Sequence, residues 1–260
     1  MTSVLVTGAS SGIGAAFARR LAQHGHDLIL VARRRDRLEA LAAEMEGRQA
    51  AAVEVLVADL AREEEVARVE ARLAAQPDLR VLVNAAGFVT AGRFSELPVK
   101  RHREMVQVHV EAPVRLTRAA LPGLLAHRGA VVNVASIGAF LPTAGNATYA
   151  GTKAFLVTWT RALHLELRGT GVRVQALCPG FTRTGIYDTP DLRALALNAK
   201  IPVFLWSSPD AVVEASLRAL ARDQVVCIPD WPARLLVLAG RAGLLPLLSA
   251  FVERATLVGR

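Results

Sequence analysis

Val4-Leu5-Val6-Thr7-Gly8-Ala9-Ser10-Ser11-Gly12-Ile13-Gly14 is the stretch whose reading decides the fold. A short apolar run comes first, then three glycines, and then Ile13, Phe17 and Leu21 recur at helical spacing. That is the pattern of a buried strand, a tight turn and an amphipathic helix. A helix that starts where a strand ends offers free N–H groups and the positive end of its dipole. The glycines let the backbone turn sharply and come close to a pyrophosphate with no Cβ in the way. Gly8, Ser10, Ser11, Gly12, Ile13 and Gly14 are therefore candidates for holding a dinucleotide.

The same alternation continues outward. Short apolar runs fall at Val4–Val6, Leu28–Val31, Val53–Val57, Val81–Val83, Val131–Val134, Val172–Leu177 and Val225–Ile228. Each is apolar on both sides, as strands covered on both faces must be. Helical patterns lie between them, such as Leu38, Leu41 and Met45. The expectation is an α/β protein with a doubly wound, seven-stranded parallel sheet and helices on both faces. Residues 1–230 read as one dinucleotide-binding and catalytic domain, and 231–260 as an apolar helical extension of it. Arg234, Arg241 and Pro246 interrupt that tail. It reads as helices packed on the domain or a partner subunit, or as an element lying on a membrane surface.

Composition narrows the class. The 260 residues are 52% apolar, which suits a full core and argues against disorder. Two cysteines, Cys178 and Cys227, make no disulfide framework and read as reduced core thiols. No cysteine–histidine cluster suggests a metal. The N-terminus shows no secretory leader pattern and no run suits a spanning helix, so a cytoplasmic location is expected, with membrane association through 231–260 as the variant. The net charge is +8. Arg62, Arg68 and Arg72 alternate with Glu63, Glu64, Glu65 and Glu70, a solvated face with internal pairing rather than a nucleic-acid surface.

The second strand runs into Ala32-Arg33-Arg34-Arg35. An NAD site usually places a carboxylate here for the ribose hydroxyls. A guanidinium would instead pair with a 2′-phosphate. The expected cofactor is NADP(H), with Arg33 first and Arg34 second as the selecting residues; Asp36 lies too far into the next helix.

Val131-Val132-Asn133-Val134-Ala135-Ser136 is a strand that ends in serine, where ligands of open α/β sheets sit. Tyr149 and Lys153 follow at helical spacing of four and share a face. A nearby ammonium is expected to lower the phenol's pKa and suit it to acid–base work. The T-G-x-x-x-G-x-G loop at 7–14, the serine, and the Y-x-x-x-K pair together resemble the short-chain dehydrogenase/reductase family, single-domain, Rossmann-like branch, over about residues 2–230.

That resemblance implies further roles. Ser136 bonds the substrate oxygen, Tyr149 gives or takes the proton, and Lys153 holds the nicotinamide ribose and tunes Tyr149. Asp59 and Leu60 resemble the adenine-contacting pair. Asn84, Ala85, Ala86 and Gly87 resemble the family's N-A-G signature, with Asn84 either bracing the sheet or touching the cofactor. Pro179, Gly180, Thr182 and Thr184 resemble the segment that holds the carboxamide. His109 stands where many members carry a fourth catalytic residue, an asparagine. It either joins a proton relay, gives activity an extra pH dependence, or is a satisfied core histidine. The family also implies a homo-oligomer, dimer or tetramer, paired through the fourth and fifth helices.

The segment after P-G-x-x-x-T covers the substrate in this family. Here it carries Ile186, Leu192, Leu195, Leu197, Ile201, Val203, Phe204, Leu205 and Trp206. The expected activity is reduction of a ketone or aldehyde, or oxidation of the alcohol, on a lipophilic small molecule. The competing expectations are an NAD-linked alcohol dehydrogenase and a nucleotide-binding sensor or scaffold that has lost its chemistry.

Overall fold

The computed structural model describes residues 2–46, 52–90, 92–188 and 201–244. Its strands are β1 (Ser3–Thr7), β2 (Asp27–Ala32), β3 (Val53–Val57), β4 (Leu79–Asn84), β5 (Ala130–Val134), β6 (Arg173–Leu177), β7 (Phe181–Thr182), β8 (Trp206–Ser207) and β9 (Val226–Cys227). Its helices are α1 (Gly12–Gln23), α2 (Arg35–Glu46), α3 (Glu63–Ala74), α4 (Val99–Val106), α5 (Ala112–His127), α6 (Ala147–Glu166), α7 (Pro209–Ala221) and α8 (Trp231–Ala239).

Seven strands form one sheet in the order β3-β2-β1-β4-β5-β6-β9, and every pairing is parallel. The chain winds outward from β1 to β3, then returns to place β4 on the other side of β1. The carboxyl ends of β1 and β4 therefore diverge into helices on opposite faces, and a crevice opens between them. Successive side chains of a strand face opposite sides. Val4 and Val6 thus join Phe17, Leu21, Leu28 and Leu38 in one core layer, while Leu5 joins Val66, Leu82, Leu116 and Leu124 in the other. Two buried layers explain why the strands read as unbroken apolar runs.

All seven apolar runs are strands of this sheet. The last is trimmed to Val226–Cys227, and β4 begins earlier, at Leu79. The two-stranded parallel sheet of β7 and β8 was not legible, because each strand is only two residues long. The arginines of α3 also differ from expectation. Arg72 pairs with Glu54 of β3 at 2.7 Å, and Glu70 pairs with Arg115 of α5. The pairing is between elements more than along one helix.

Both cysteines are free and buried, and burial pushes Cys178 up to about 12 and Cys227 to about 11. Among the described residues no helix is long and apolar enough to cross a membrane. In α8, Asp230 caps the first turn by accepting the Ala233 N–H at 2.9 Å, and Pro232, Ala233 and Val237 are buried. Residues 245–260, with Pro246, lie outside the described residues.

Candidate active site

The glycine loop forms because β1 and α1 are joined by residues that tolerate close approach. Gly8 has φ +67°, and a Cβ there would sit 2.7 Å from the Ala85 carbonyl oxygen. A Cβ at Gly14 would lie 2.4 Å from the Gly8 oxygen. Gly14→Ala is therefore expected to push α1 off the loop, costing on the order of 1–3 kcal/mol of stability and most of the dinucleotide affinity. Thermal unfolding with and without cofactor measures both. Ser11 stands at the N-cap of α1 but its hydroxyl accepts none of the helix N–H groups, and no acid stands in the first turn. The first N–H groups are thus left to an anionic ligand.

Thr7 ties the loop to the next strand. Its hydroxyl donates to the Val83 carbonyl at 3.3 Å and accepts the Ala85 and Ala86 N–H groups, each at 3.1 Å. This holds Ala85, Ala86 and Gly87 beside Gly8. Sequence reading quoted Thr7 but gave it no role; its position at the strand end was the available signal.

A cavity of about 500 Å³ runs from this loop across the carboxyl end of the sheet. At one end lie Arg33, Arg34, Asp59 and Leu60. At the other lie Ser136, Tyr149, Lys153, Pro179, Gly180, Thr182 and Thr184. Every cofactor candidate named from the sequence lines this cavity except Asn84. Asn84 is buried beneath it, donating to Asn133 Oδ1 at 2.8 Å and to Thr117 Oγ1 at 3.3 Å. Asn133 in turn donates to Thr160 Oγ1 at 3.0 Å. That chain of amides braces β4, β5, α5 and α6. Phe88, Arg101 and Glu104 also line the cavity and were not anticipated. Arg101 lies over the Phe88 ring at 4.8 Å and pairs with Glu104 at 2.7 Å. The signal was weak: Phe88 follows the N-A-A-G run, and 101 and 104 share a helix face.

The two arginines are not equivalent. The Arg34 guanidinium donates to Ser10 Oγ at 3.0 Å and to Ser11 Oγ at 2.8 Å, so it faces the glycine loop. Asp36 turns away to Arg37 in the first turn of α2, 3.9 Å from its Nε. Arg33 and Arg34 both line the cavity, and Arg34 is the one bonded to the loop serines.

Ser136 caps a short helical turn, its Oγ accepting the Gly138 N–H at 3.1 Å, and it lines the same end of the cavity as Tyr149. Lys153 is almost fully buried and donates from Nζ to the Val134 carbonyl at 2.8 Å. Burial lowers its pKa to about 8. The Tyr149 phenol is shifted up, because burial outweighs the opposing influence of the nearby Ser136 hydroxyl. The sequence predicts the opposite direction, from the ammonium. The reason for the difference is geometric: Lys153 Nζ reaches past the ring to β5, 5.7 Å from the ring centroid.

His109 sits in a widened helical turn, Gln107–Glu111, between α4 and α5. It is buried and outside the cavity lining. Its Nε2 accepts the Phe88 N–H at 3.0 Å. A backbone N–H only donates, so Nδ1 carries the ring proton and gives it to Thr152 Oγ1 at 3.0 Å. Thr152 donates onward to the Tyr149 carbonyl at 2.8 Å. Burial, with Lys153 nearby, holds the imidazole's pKa well below the ordinary value. The ring is neutral and both nitrogens are engaged.

Of the apolar segment after Thr184, Ile186 lines the cavity and Ile201 is buried. Trp206 packs on Phe181 and donates to the Ile201 carbonyl at 3.3 Å. Val203 and Phe204 are exposed and Leu205 is half-buried. Leu192, Leu195 and Leu197 lie outside the described residues.

The sheet order, the open helix terminus and the elongated cavity define a dinucleotide-binding α/β protein with a Ser–Tyr–Lys cluster at one end of the site. The profile of the short chain dehydrogenases matches residues 2–191. A serine 3-dehydrogenase of Agrobacterium fabrum is 37% identical over 187 residues, covering 70% of this chain and 72% of the relative. Among solved structures, a short-chain dehydrogenase from Sphingobium yanoikuyae in complex with NADPH is 38% identical with a TM-score of 0.80, covering 95% of this chain and 96% of that one. A bulky-bulky ketone specific alcohol dehydrogenase from Comamonas testosteroni is 31% identical with a TM-score of 0.78, covering 95% and 94%. The chain belongs to the short-chain dehydrogenase/reductase family of oxidoreductases.

Proposed function

We propose that this protein is an NADP(H)-dependent reductase of ketones or aldehydes on lipophilic small molecules, with Tyr149 as the proton donor. The observation that carries the reading is one cavity holding the Ser136–Tyr149–Lys153 cluster at one end and Arg33 and Arg34 at the other. The residues fit the cofactor: an α1 terminus whose first N–H groups have no side-chain cap, and two guanidinium groups with no carboxylate between them, all lining one cavity. Bound nicotinamide supplies the hydride. Arg34, with Ser10 and Ser11, is the site for the 2′-phosphate. Asp59 and Leu60 hold the adenine, and Thr182 and Thr184 the carboxamide.

Ser136 Oγ and the Tyr149 hydroxyl together hold the substrate oxygen. The raised pKa of Tyr149 keeps its proton available for transfer to that oxygen at neutral pH. Lys153, still largely protonated at neutral pH with a pKa of about 8, places positive charge behind the phenol as it gives up its proton. Ile186 supplies apolar surface beside Thr184 at the triad end of the cavity. The bulky-bulky ketone specificity of the Comamonas relative supports a bulky ketone as substrate. The exposed Phe155 and Leu165 on α6 support pairing of two copies through that helix.

The test is a parallel titration with NADPH and NADH of the protein and of Arg34→Ala. NADPH is expected to bind more tightly than NADH, and the variant to lose about 10- to 100-fold in NADPH affinity only, as removal of a charge-assisted pair demands. An NADH preference in the unchanged protein favours the NAD-linked alcohol dehydrogenase. Binding of neither favours a decayed nucleotide-binding protein.

A further inference from the structure

A second histidine, His102 of α4, is not part of the cavity, yet it repeats the pattern of His109. Its Nε2 faces the Phe94 carbonyl at 3.3 Å, and its Nδ1 meets Thr148 Oγ1 at 2.8 Å. A carbonyl only accepts, so Nε2 carries a proton, and Nδ1 shares a hydrogen bond with the Thr148 hydroxyl. The Phe94 ring leans on the imidazole with centroids 4.6 Å apart. His109 likewise joins Thr152 to the Phe88 backbone. Each histidine therefore bridges one α6 threonine to one backbone group of the segment that follows β4.

The placement of the two threonines gives the bridges their meaning. Thr148 and Thr152 are four apart and lie on one stripe of α6. Tyr149 and Lys153 are each one residue later and lie on the adjoining stripe, about 100° around the helix. Two attachments a full turn apart on one stripe resist rotation of the helix about its axis. That rotation is the motion that would swing the Tyr149 phenol away from Ser136.

We propose that His102 and His109 form a two-point clamp that sets the rotation of α6, with His102 a positioning residue for Tyr149. The proposal rests on the reading of Tyr149 as proton donor for its kinetic consequence, but not for its structural one. His102 touches neither the cavity nor the triad, so it acts only through Thr148 and the helix.

The test uses the full chain with His102→Ala, His102→Gln, Thr148→Val and the His102→Ala/Thr148→Val pair. His102→Ala is expected to lower kcat about 3- to 10-fold, the effect of one hydrogen bond, with NADPH affinity within twofold. Glutamine, which can accept from Thr148 and donate to the Phe94 carbonyl, is expected to restore most of the loss. Thr148→Val is expected to reproduce the loss, and the double variant to add nothing to it. Hydrogen exchange of the amides at 150–153 is expected to quicken in His102→Ala. Unchanged kcat with unchanged exchange overturns the clamp, as does a loss that glutamine fails to restore and Thr148→Val fails to reproduce. If the unchanged protein reduces no carbonyl, the functional reading fails while the exchange measurement still decides the clamp.

Discussion

Tyr149→Phe is expected to lower kcat about 10³-fold, the scale of losing a positioned general acid, while the Kd for NADPH stays within about threefold. The phenol shares one end of the cavity with Ser136, and Lys153 Nζ lies 5.7 Å from its ring centroid. Phenylalanine keeps the ring that packs edge-on to His109 at 5.8 Å. The substitution therefore removes the proton and leaves the packing. Burial raises the phenol's pKa and lowers that of Lys153 to about 8, so the unchanged protein should hold its reductive rate through neutral pH, begin to lose it above about pH 8 as Lys153 gives up its charge, and lose the rest as the phenol ionises. Single-turnover reduction followed by NADPH absorbance, with titration of the cofactor, separates the two effects. Retained turnover in the phenylalanine variant would move the proton donor elsewhere and leave Ser136 or a bound water to supply it.

Lys153→Met should produce opposite effects on activity and stability. Turnover is expected to fall about 10²- to 10³-fold, because the positive charge behind the phenol is lost. Stability of the cofactor-free protein near pH 7 should rise. Lys153 is 5% exposed, and burial lowers its pKa from 10.5 to about 8. A folded-state pKa below the unfolded one means that the unfolded chain binds more protons between about pH 8 and 10.5, so stability increases as pH rises through that window. Below it the buried ammonium costs on the order of 3 kcal/mol, partly offset by its bond to the Val134 carbonyl. Methionine removes that cost and forfeits one hydrogen bond worth about 1–2 kcal/mol, for a net gain of about 1–2 kcal/mol, or a few degrees in Tm. Differential scanning calorimetry at pH 7 and pH 10 checks the sign. The variant should be the more stable at pH 7, and that advantage should shrink at pH 10. A variant less stable at both values would mean that the Val134 bond outweighs burial.

Such a trade is what a site shaped for chemistry produces. The same logic applies to the glycine loop, where Gly8 and Gly14 forgo helix and strand propensity so that the backbone can approach its neighbours closely.

By itself, the sequence determined the sheet and named many of the residues that line the cavity. Strands covered on both faces must be apolar throughout, and helices covering them must carry a stripe, so periodicity alone separated Val4–Val6 from Phe17 and Leu21. The site sits at strand ends, and the motifs that mark strand ends are local in the chain; that is why Ser136, Tyr149, Lys153 and the glycines could be named together. What only the tertiary structure decided depends on groups distant in sequence. Arg34 rather than Arg33 reaches Ser10 and Ser11 because of the way α2 begins beside the loop. The direction of the Tyr149 shift follows from the depth of burial around its hydroxyl, which no spacing records. The small β7–β8 sheet pairs segments more than twenty residues apart through two residues each, too few to leave a pattern. The bridges from His102 and His109 to Thr148 and Thr152 cross 46 and 43 positions. A hydrogen bond between side chains leaves no periodic trace in a chain, and only the packing of α4 and the widened turn against α6 brings those partners within reach.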